Sequence, residues 1–144
     1  MVAVIDAKAL RQALPTLTGT LRLPGLKAQV EIYRDRWGIP HVRASNLRDA
    51  FFGQGFATAQ DRLWQMEYDR RRGAGRWAEV AGDSAVDQDV LMRRFRLSDS
   101  AIADYEYTKG ETRQMFDDYA QGVNAFIDST DSLPVEYNIA GLDP

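Results

Sequence analysis

The sequence predicts a mostly helical α+β fold for its 144 residues. Short stretches of alternating polar and apolar residues occur before residue 46, and apolar residues recur every three or four positions after it. A chain of this length is the size of one domain and can bury roughly two-thirds of its unfolded surface. We therefore expect a single domain over residues 1–144, with β-strands over about 18–45, helices over 46–129 and a loop over 130–144.

Three alternating stretches predict an antiparallel meander in the N-terminal third. They read TGTLRLPG at 18–25, AQVEIY at 28–33 and IPHVRAS at 39–45. Between the last two, DRWG at 35–38 ends a four-residue loop with a glycine, where a hairpin often requires a positive φ. The three strands are therefore expected to follow one another through short turns.

The first long helix is expected to begin at Asn46, which forms a capping-box pattern with Asp49. Gly53 and Gly55 lie inside this helix, although glycine there costs about 0.5–1 kcal/mol relative to alanine. They predict that another backbone approaches the helix closely. The apolar residues of this helix recur at helical spacing: Phe52, Phe56, Ala59, Leu63 and Met66.

Three further helical segments are predicted. A short one ends at Gly82, and Ser84 is expected to cap the next, which ends near Phe95. The final helix starts after Gly110, and its polar residues, Asp118 among them, are expected to face away from its apolar stripe. The core of that stripe consists of Met115, Tyr119, Val123 and Phe126.

Composition excludes several classes of function. The 21 acidic residues outnumber the 18 basic ones, so nucleic acid is not an expected partner. There is no cysteine, which rules out disulfides, zinc knuckles and thiol nucleophiles. No apolar run is long enough for a membrane span or a signal-peptide core, so no membrane partner is expected. The cytoplasm is the simpler compartment, or the periplasm if a signal has been removed.

The residues alone assign no catalytic, cofactor-binding or metal site. His41 is the single histidine, it lies in a predicted strand, and no Gly-x-Ser-x-Gly motif accompanies it, so a structural role is favoured. The acids at 83, 87 and 89 lack the spacing of a calcium loop. Glu67 and Glu79 could form a carboxylate pair of the glycosidase kind, but nothing distinguishes them among the other acids.

A run of three arginines, residues 70–72, has two interpretations. A nucleic-acid patch would need basic surroundings, whereas this run is flanked by acids. A helix C-terminus favours cations, and Glu67 and Arg71 have the four-residue spacing of a helical ion pair. The structural interpretation is preferred, with one arginine of the run available for a bidentate pair with Asp61 or Glu79. Asp61 and Arg62 themselves are expected to be partly buried partners.

Four blocks carry a resemblance to a known family. RDRWGIPHVRAS, GFATAQDRLWQMEYDRRRGAGRWAEVAG, DVLMRRF and YAQGVNAFID occur in that order. The chain resembles the small-subunit region of the penicillin acylase family, the N-terminal-nucleophile amidohydrolases. The segment before the blocks is most similar to the cephalosporin or glutaryl acylase branch.

The resemblance implies a precursor that cuts itself into a small chain, a spacer and a large chain. The nucleophile would be the first serine of the large chain, with its own α-amino group as the base. This chain would then be the non-catalytic small subunit, and its strands would join the αββα core of the large subunit. A structural Ca²⁺ would be held mainly by the large subunit, and no pocket or calcium residue is carried over to this sequence.

The substrate class implied is a small-molecule N-acyl amide: a β-lactam side chain, an acyl amino acid or an acyl-homoserine lactone. The branch similarity favours an acidic acyl group. As a small subunit, the chain would share a large apolar interface with its partner and fold poorly alone. The alternative hypothesis is a stand-alone helical interaction module without enzymatic activity.

Overall fold

The computed structural model describes residues 6–144 and confirms a mostly helical α+β fold. The most extensive packing is between helices α2 and α6, and a two-stranded hairpin lies against α2. In this part of the chain no helix is both long and apolar enough to cross a bilayer. The elements in chain order are α1 Ala7–Gln12, β1 Glu31–Arg34, β2 Pro40–Arg43, α2 Leu47–Gly73, α3 Ala78–Ala81, α4 Val86–Phe95, α5 Leu97–Tyr107, α6 Gly110–Ser129 and α7 Val135–Ala140.

The hairpin predicted around residues 35–38 is confirmed as an antiparallel pair of β1 and β2. The Asp35 carboxylate organises its loop by accepting hydrogen bonds from the backbone N–H groups of Trp37 (2.8 Å) and Ile39 (3.0 Å). Gly38 has a φ of +79°, in the left-handed region that favours glycine. The loop chemistry is therefore the one that the sequence indicates.

The third strand predicted at 18–25 is wrong, because the sheet in the described residues has only two strands. The segment follows the helical layer instead. Just before it, the Thr16 carbonyl accepts a hydrogen bond from Gln60 Nε2 of α2 at 2.8 Å. Leu23 packs against the main core while Leu21 stays exposed. Alternating polar and apolar residues indicate which side chains face the core. A β-strand also needs a neighbouring strand whose backbone groups can hydrogen-bond with its own.

Helix α2 begins at the predicted cap. Asn46 Oδ1 accepts a hydrogen bond from the backbone N–H of Asp49 at 3.0 Å. The carboxylate of Asp49 is buried and turns to the preceding chain, where it accepts the backbone N–H groups of Lys27 and Ala28 at 2.9 Å each. Burial alone would raise the pKa of Asp49, but these bonds and that from Asn46 hold it below its ordinary value. This carboxylate therefore fixes the path of the chain into β1.

Helices α2 and α6 make their closest approach at two glycines. A Cβ atom on Gly55 would overlap the carbonyl oxygen of Tyr119, and one on Gly122 would overlap that of Phe52. The predicted close approach of another backbone is confirmed at Gly55. It is wrong at Gly53, whose neighbours are the side chains of two valines in and before the hairpin.

Aromatic and aliphatic side chains close around this contact. The rings of Phe56 and Phe126 meet edge to face with their centroids 5.5 Å apart, an arrangement worth about 0.5–1.5 kcal/mol beyond area burial. Asp118 does not face away from the core as predicted. It is buried and receives a forked hydrogen bond from Arg48 at 2.9–3.2 Å, which ties the start of α2 to α6. The buried core consists of Phe56, Ala59, Leu63, Phe126 and Tyr137.

The short helices after α2 follow the prediction in part. Gly82, with a φ of +68°, ends α3, and α4 ends at Phe95, both as expected. The predicted Ser84 cap is wrong: its hydroxyl donates to the carbonyl of Ala81 at 3.0 Å. A single 3-10 turn, Gly82–Ala85, leads into α4 in its place.

The loop predicted for residues 130–144 is wrong, because it contains helix α7. Pro134 precedes the helix, and Gly141 follows it with a φ of +64°. Proline before a helix and glycine after it are ordinary boundary signals. Tyr137 of this helix is among the most buried large side chains, and its ring packs against Trp64 at 5.1 Å. The C-terminal segment is thus part of the core.

We expect alanine at Gly55 or Gly122 to destabilise the protein by about 3 kcal/mol, because the added methyl group would push two helix backbones apart. Gly73→Ala at the end of α2 is the matched control. That position has open space, so the change should be neutral or stabilising by up to about 1 kcal/mol. Urea unfolding of the purified protein measures all three, and equal effects at positions 55 and 73 would contradict the packing described.

Candidate functional site

An open groove of about 670 Å³ lies between the hairpin and α2. Arg34 of β1 is one of the residues that line the groove. Its Nη2 atom contacts the Asp61 carboxylate at 2.7 Å and the Gln60 side-chain oxygen at 2.8 Å. Nη1 donates to the carbonyl of Gly38 at 3.0 Å. One arginine therefore connects the strand, the loop and the helix that form the groove.

Asp61 and Arg62 are not partners, so that prediction is wrong. Asp61 pairs with Arg34, and Arg62 donates to Gln65 Oε1 at 3.2 Å. Arg62 also departs from helical geometry, with φ −142° and ψ 23°, so α2 is kinked at this point. A helix kink normally has an identifiable cause such as proline, and neither Arg62 nor its neighbours is proline. The kink lies beside the groove, which Arg62 lines.

A network of charged side chains joins the end of α2 to α3. Arg71 is buried, and its guanidinium contacts Glu67 at 2.5 Å and Glu79 at 2.6 Å. Arg70 adds a forked bond to Glu67, and Arg76 one to Glu79. The predicted pair of Glu67 and Arg71 is confirmed. Within the arginine run 70–72, Arg71 is the residue that contacts Glu79. The carboxylates of Glu67 and Glu79 both contact the guanidinium of Arg71. They do not face each other across an open cleft, as a catalytic carboxylate pair would.

This network shifts the acidity of its buried members. Burial by itself raises the pKa of Glu67, but the hydrogen bonds and charges of Arg70 and Arg71 outweigh it and leave the pKa below its ordinary value. Burial, followed by the nearby charge of Glu67, raises the pKa of Tyr137 to about 12. Glu67 is therefore ionised and Tyr137 neutral at pH 7. Glu67 is thus an anion in salt bridges, unlike a general acid, which must carry a proton to donate.

The aspartates at 83, 87 and 89 do not converge. Asp89 is buried and accepts the backbone N–H groups of Trp77 (2.9 Å) and Ala78 (2.7 Å), while Asp83 and Asp87 are exposed. Among residues 6–144 no three carboxylates or imidazoles come together as metal ligands. Asp89 therefore holds the start of α3, as Asp49 holds the chain before β1.

His41 lies on the outer face of the hairpin. Its ring stacks on Tyr33 with the centroids 4.9 Å apart, and Nε2 is 3.4 Å from the Asp35 carboxylate. The hydrogen bonds from Ile39, Trp37 and His41 keep the pKa of Asp35 below its ordinary value against the opposing effect of burial. His41 thus contributes to the surface of the hairpin and its loop.

The long-range ion pairs were not found from the sequence. Arg34 and Asp61 are 27 residues apart, and Arg48 and Asp118 are 70 apart. Spacing rules for charges apply within one helix or between paired strands, so no local pattern indicates these contacts.

The fold of this chain is similar to that of a solved structure. The structure matches that of a thermostable penicillin G acylase from Alcaligenes faecalis with a TM-score of 0.71 and 33% sequence identity. The match covers 81% of this chain and 64% of that chain. The α+β fold of this chain is therefore shared with a chain of a solved penicillin G acylase.

Residues 29–144 match the family model described as penicillin amidase, and the chain belongs to that family. It is 46% identical over all 144 residues to the penicillin acylase 2 proenzyme of Pseudomonas sp. strain SE83. Over 135 residues, 93% of the chain, it is 36% identical to an acyl-homoserine lactone acylase of Pseudomonas putida. These matches cover 19% and 17% of the two relatives, so the chain spans about a fifth of their length.

We expect Arg71→Ala to lower the free energy of unfolding by about 3 kcal/mol, because it leaves the buried Glu67 with one of its two arginines. Arg70→Ala is the control. Arg70 binds the same carboxylate from an exposed position, so its loss should cost about 1 kcal/mol or less. Chemical unfolding at pH 7 measures both, and equal losses would show that burial of Arg71 is unimportant.

The pH dependence of the same variants follows from Glu67. Its pKa is lower in the folded than in the unfolded chain, so its stabilising effect is present above the ordinary value of 4.5 and lost as pH falls below it. The difference between wild type and Arg71→Ala should therefore shrink between pH 5 and pH 3.

Proposed function

We propose that this chain is the non-catalytic small subunit of a self-processed N-acyl amide hydrolase. One observation carries the proposal: a member of the penicillin amidase family leaves many large apolar side chains uncovered. Trp37 at the hairpin tip is 74% exposed and Tyr107 at the end of α5 is 88% exposed. Others on the hairpin, α4 and α5 are Ile39, Leu91, Phe95 and Ile102. Exposed apolar side chains that form a patch mark protein interfaces, and we propose that these do so.

The charged residues of the chain support the same role. Arg34, Arg48 and Arg71 each connect two elements through a carboxylate. Buried Asp49 and Asp89 are used by backbone N–H groups. These groups stabilise the fold and present a rigid surface, as a subunit that positions another chain must do.

The chemistry would reside in the large chain. Its N-terminal serine Oγ would attack the amide carbonyl while the free α-amino group, with an ordinary pKa of about 7.7–8.0, accepts the proton. The α-ammonium would return that proton to the leaving amine, and water would then release the acyl group as a carboxylic acid. Donors of the large chain would stabilise the oxyanion.

The hairpin would join the αββα sheet system of the large chain. A two-stranded hairpin is marginally stable by itself, and each strand of this one has a free edge within the described residues. A structural Ca²⁺, held mainly by the large chain, belongs to the same proposal.

The proposed substrates are N-acyl amides of small amines. Relatives are named penicillin acylases and an acyl-homoserine lactone acylase, and penicillins and acyl-homoserine lactones both contain an acyl group in amide linkage. A β-lactam side chain, an acyl amino acid and an acyl-homoserine lactone therefore form the test panel. Acidic acyl groups are included because of the branch similarity.

Intact-mass spectrometry and N-terminal sequencing of the full-length gene product test the proposal. We expect two associated chains, the larger beginning with serine, and hydrolysis of at least one amide of the panel. Replacing that serine by alanine should abolish both cleavage into two chains and hydrolysis. A single uncut chain without amidase activity would instead support a stand-alone helical interaction module.

A further inference from the structure

We infer that the groove between the hairpin and α2 is the docking site for an extended segment of the large chain that carries a carboxylate next to an apolar side chain. This inference rests on the proposed function, since the occupant is the large chain. It assigns a role to Arg62, whose guanidinium has no carboxylate partner among the residues that line the groove.

The charge of the groove is the first argument. Three charged side chains line it, and two of them, Arg34 and Asp61, neutralise each other at 2.7 Å. The third, Arg62, bonds only the neutral side chain of Gln65. The groove therefore carries one positive charge without a carboxylate partner among its lining residues. A guanidinium in this state is suited to a carboxylate, which it can bind through two parallel hydrogen bonds.

The apolar wall of the groove is the second argument. Trp37 and Ile39 lie on the hairpin side and are 74% and 53% exposed. The guanidinium of Arg36 stacks on the Trp37 ring at 4.8 Å, which places a positive charge beside this apolar side chain. Exposed tryptophan beside arginine is typical of the residues that contribute most to binding at protein interfaces. A partner segment thus needs both an acidic and an apolar side chain.

The kink in α2 is the third argument. Arg62 has φ and ψ values outside the helical region although the residues around it continue the helix. The kink therefore falls at a residue that lines the groove. The hairpin is fastened to the helix on the other side of the groove by Arg34. The hairpin and the helix are thus held together at the groove by a contact within this chain.

Site-specific photocrosslinking in the full-length gene product tests the inference. A benzophenone amino acid replaces Trp37, whose side chain is exposed and makes no buried contact that folding requires. The same amino acid at Arg22, an exposed residue between α1 and β1, is the control. We expect crosslinks from position 37 to the large chain, at a carboxylate-bearing segment, and at least about tenfold fewer when Arg62→Glu is added, because like charges in contact weaken association strongly.

Two further variants separate charge from folding. Arg62→Lys keeps the positive charge and should retain most of the crosslink, and Arg22→Glu should leave it unchanged. Crosslinks to a second copy of this chain, no crosslink, or equal yields with Arg62→Glu and Arg62→Lys would overturn the inference while two chains are still found. Failure to find a serine-initiated second chain would overturn the proposed function as well.

Discussion

The contact between the backbones of α2 and α6 is the constraint on which the rest of the structure depends. Gly55 and Gly122 face the carbonyl groups of the opposite helix, and only glycine allows the two backbones to come so near. Because the helices meet here, Phe56 and Phe126 can interlock and Asp118 comes within reach of Arg48. The hairpin and α7 then pack on surfaces that this pair creates.

Carboxylates determine how the smaller elements attach to that pair. Asp49 holds the chain before β1, Asp61 holds β1 through Arg34, and Asp89 holds the start of α3. Asp49 and Asp89 are buried, whereas Asp61 is exposed, and an exposed ion pair is worth about 0–1 kcal/mol. These acidic side chains thus make hydrogen bonds and ion pairs that stabilise the fold. This use of charge is consistent with a subunit that supplies a shaped surface.

The sequence allowed local features to be predicted and long-range ones only in part. The Asn46 cap, the glycine turn at Gly38, the end of α3 at Gly82 and the four-residue pair of Glu67 and Arg71 all depend on neighbours in sequence, and all are confirmed. The third strand was wrong because its alternation reflects packing on a helix. The loop prediction for 130–144 overlooked boundary signals that were present at Pro134 and Gly141.

The candidate site shows the same division. The block around Asp61 and Arg62 carries the family resemblance, but the two side chains have different partners. Asp61 pairs with Arg34, and Arg62, where the helix is kinked, bonds Gln65. Neither Arg62 nor its neighbours is proline, so the kink has no local signal in the sequence. The partner of Asp61 lies 27 residues earlier in another element. Family resemblance supplied what local rules could not, namely the expectation that the chemistry belongs to a different chain.

Hydrogen–deuterium exchange tests most directly whether this chain is completed by another. Residues 1–144 expressed alone would be compared with the same residues in the full-length gene product. We expect the amides of the hairpin and of α5 to be well protected only in the full-length product, because their apolar side chains are covered there. Equal protection in both samples would show that the chain is complete by itself, and would contradict its role as a subunit.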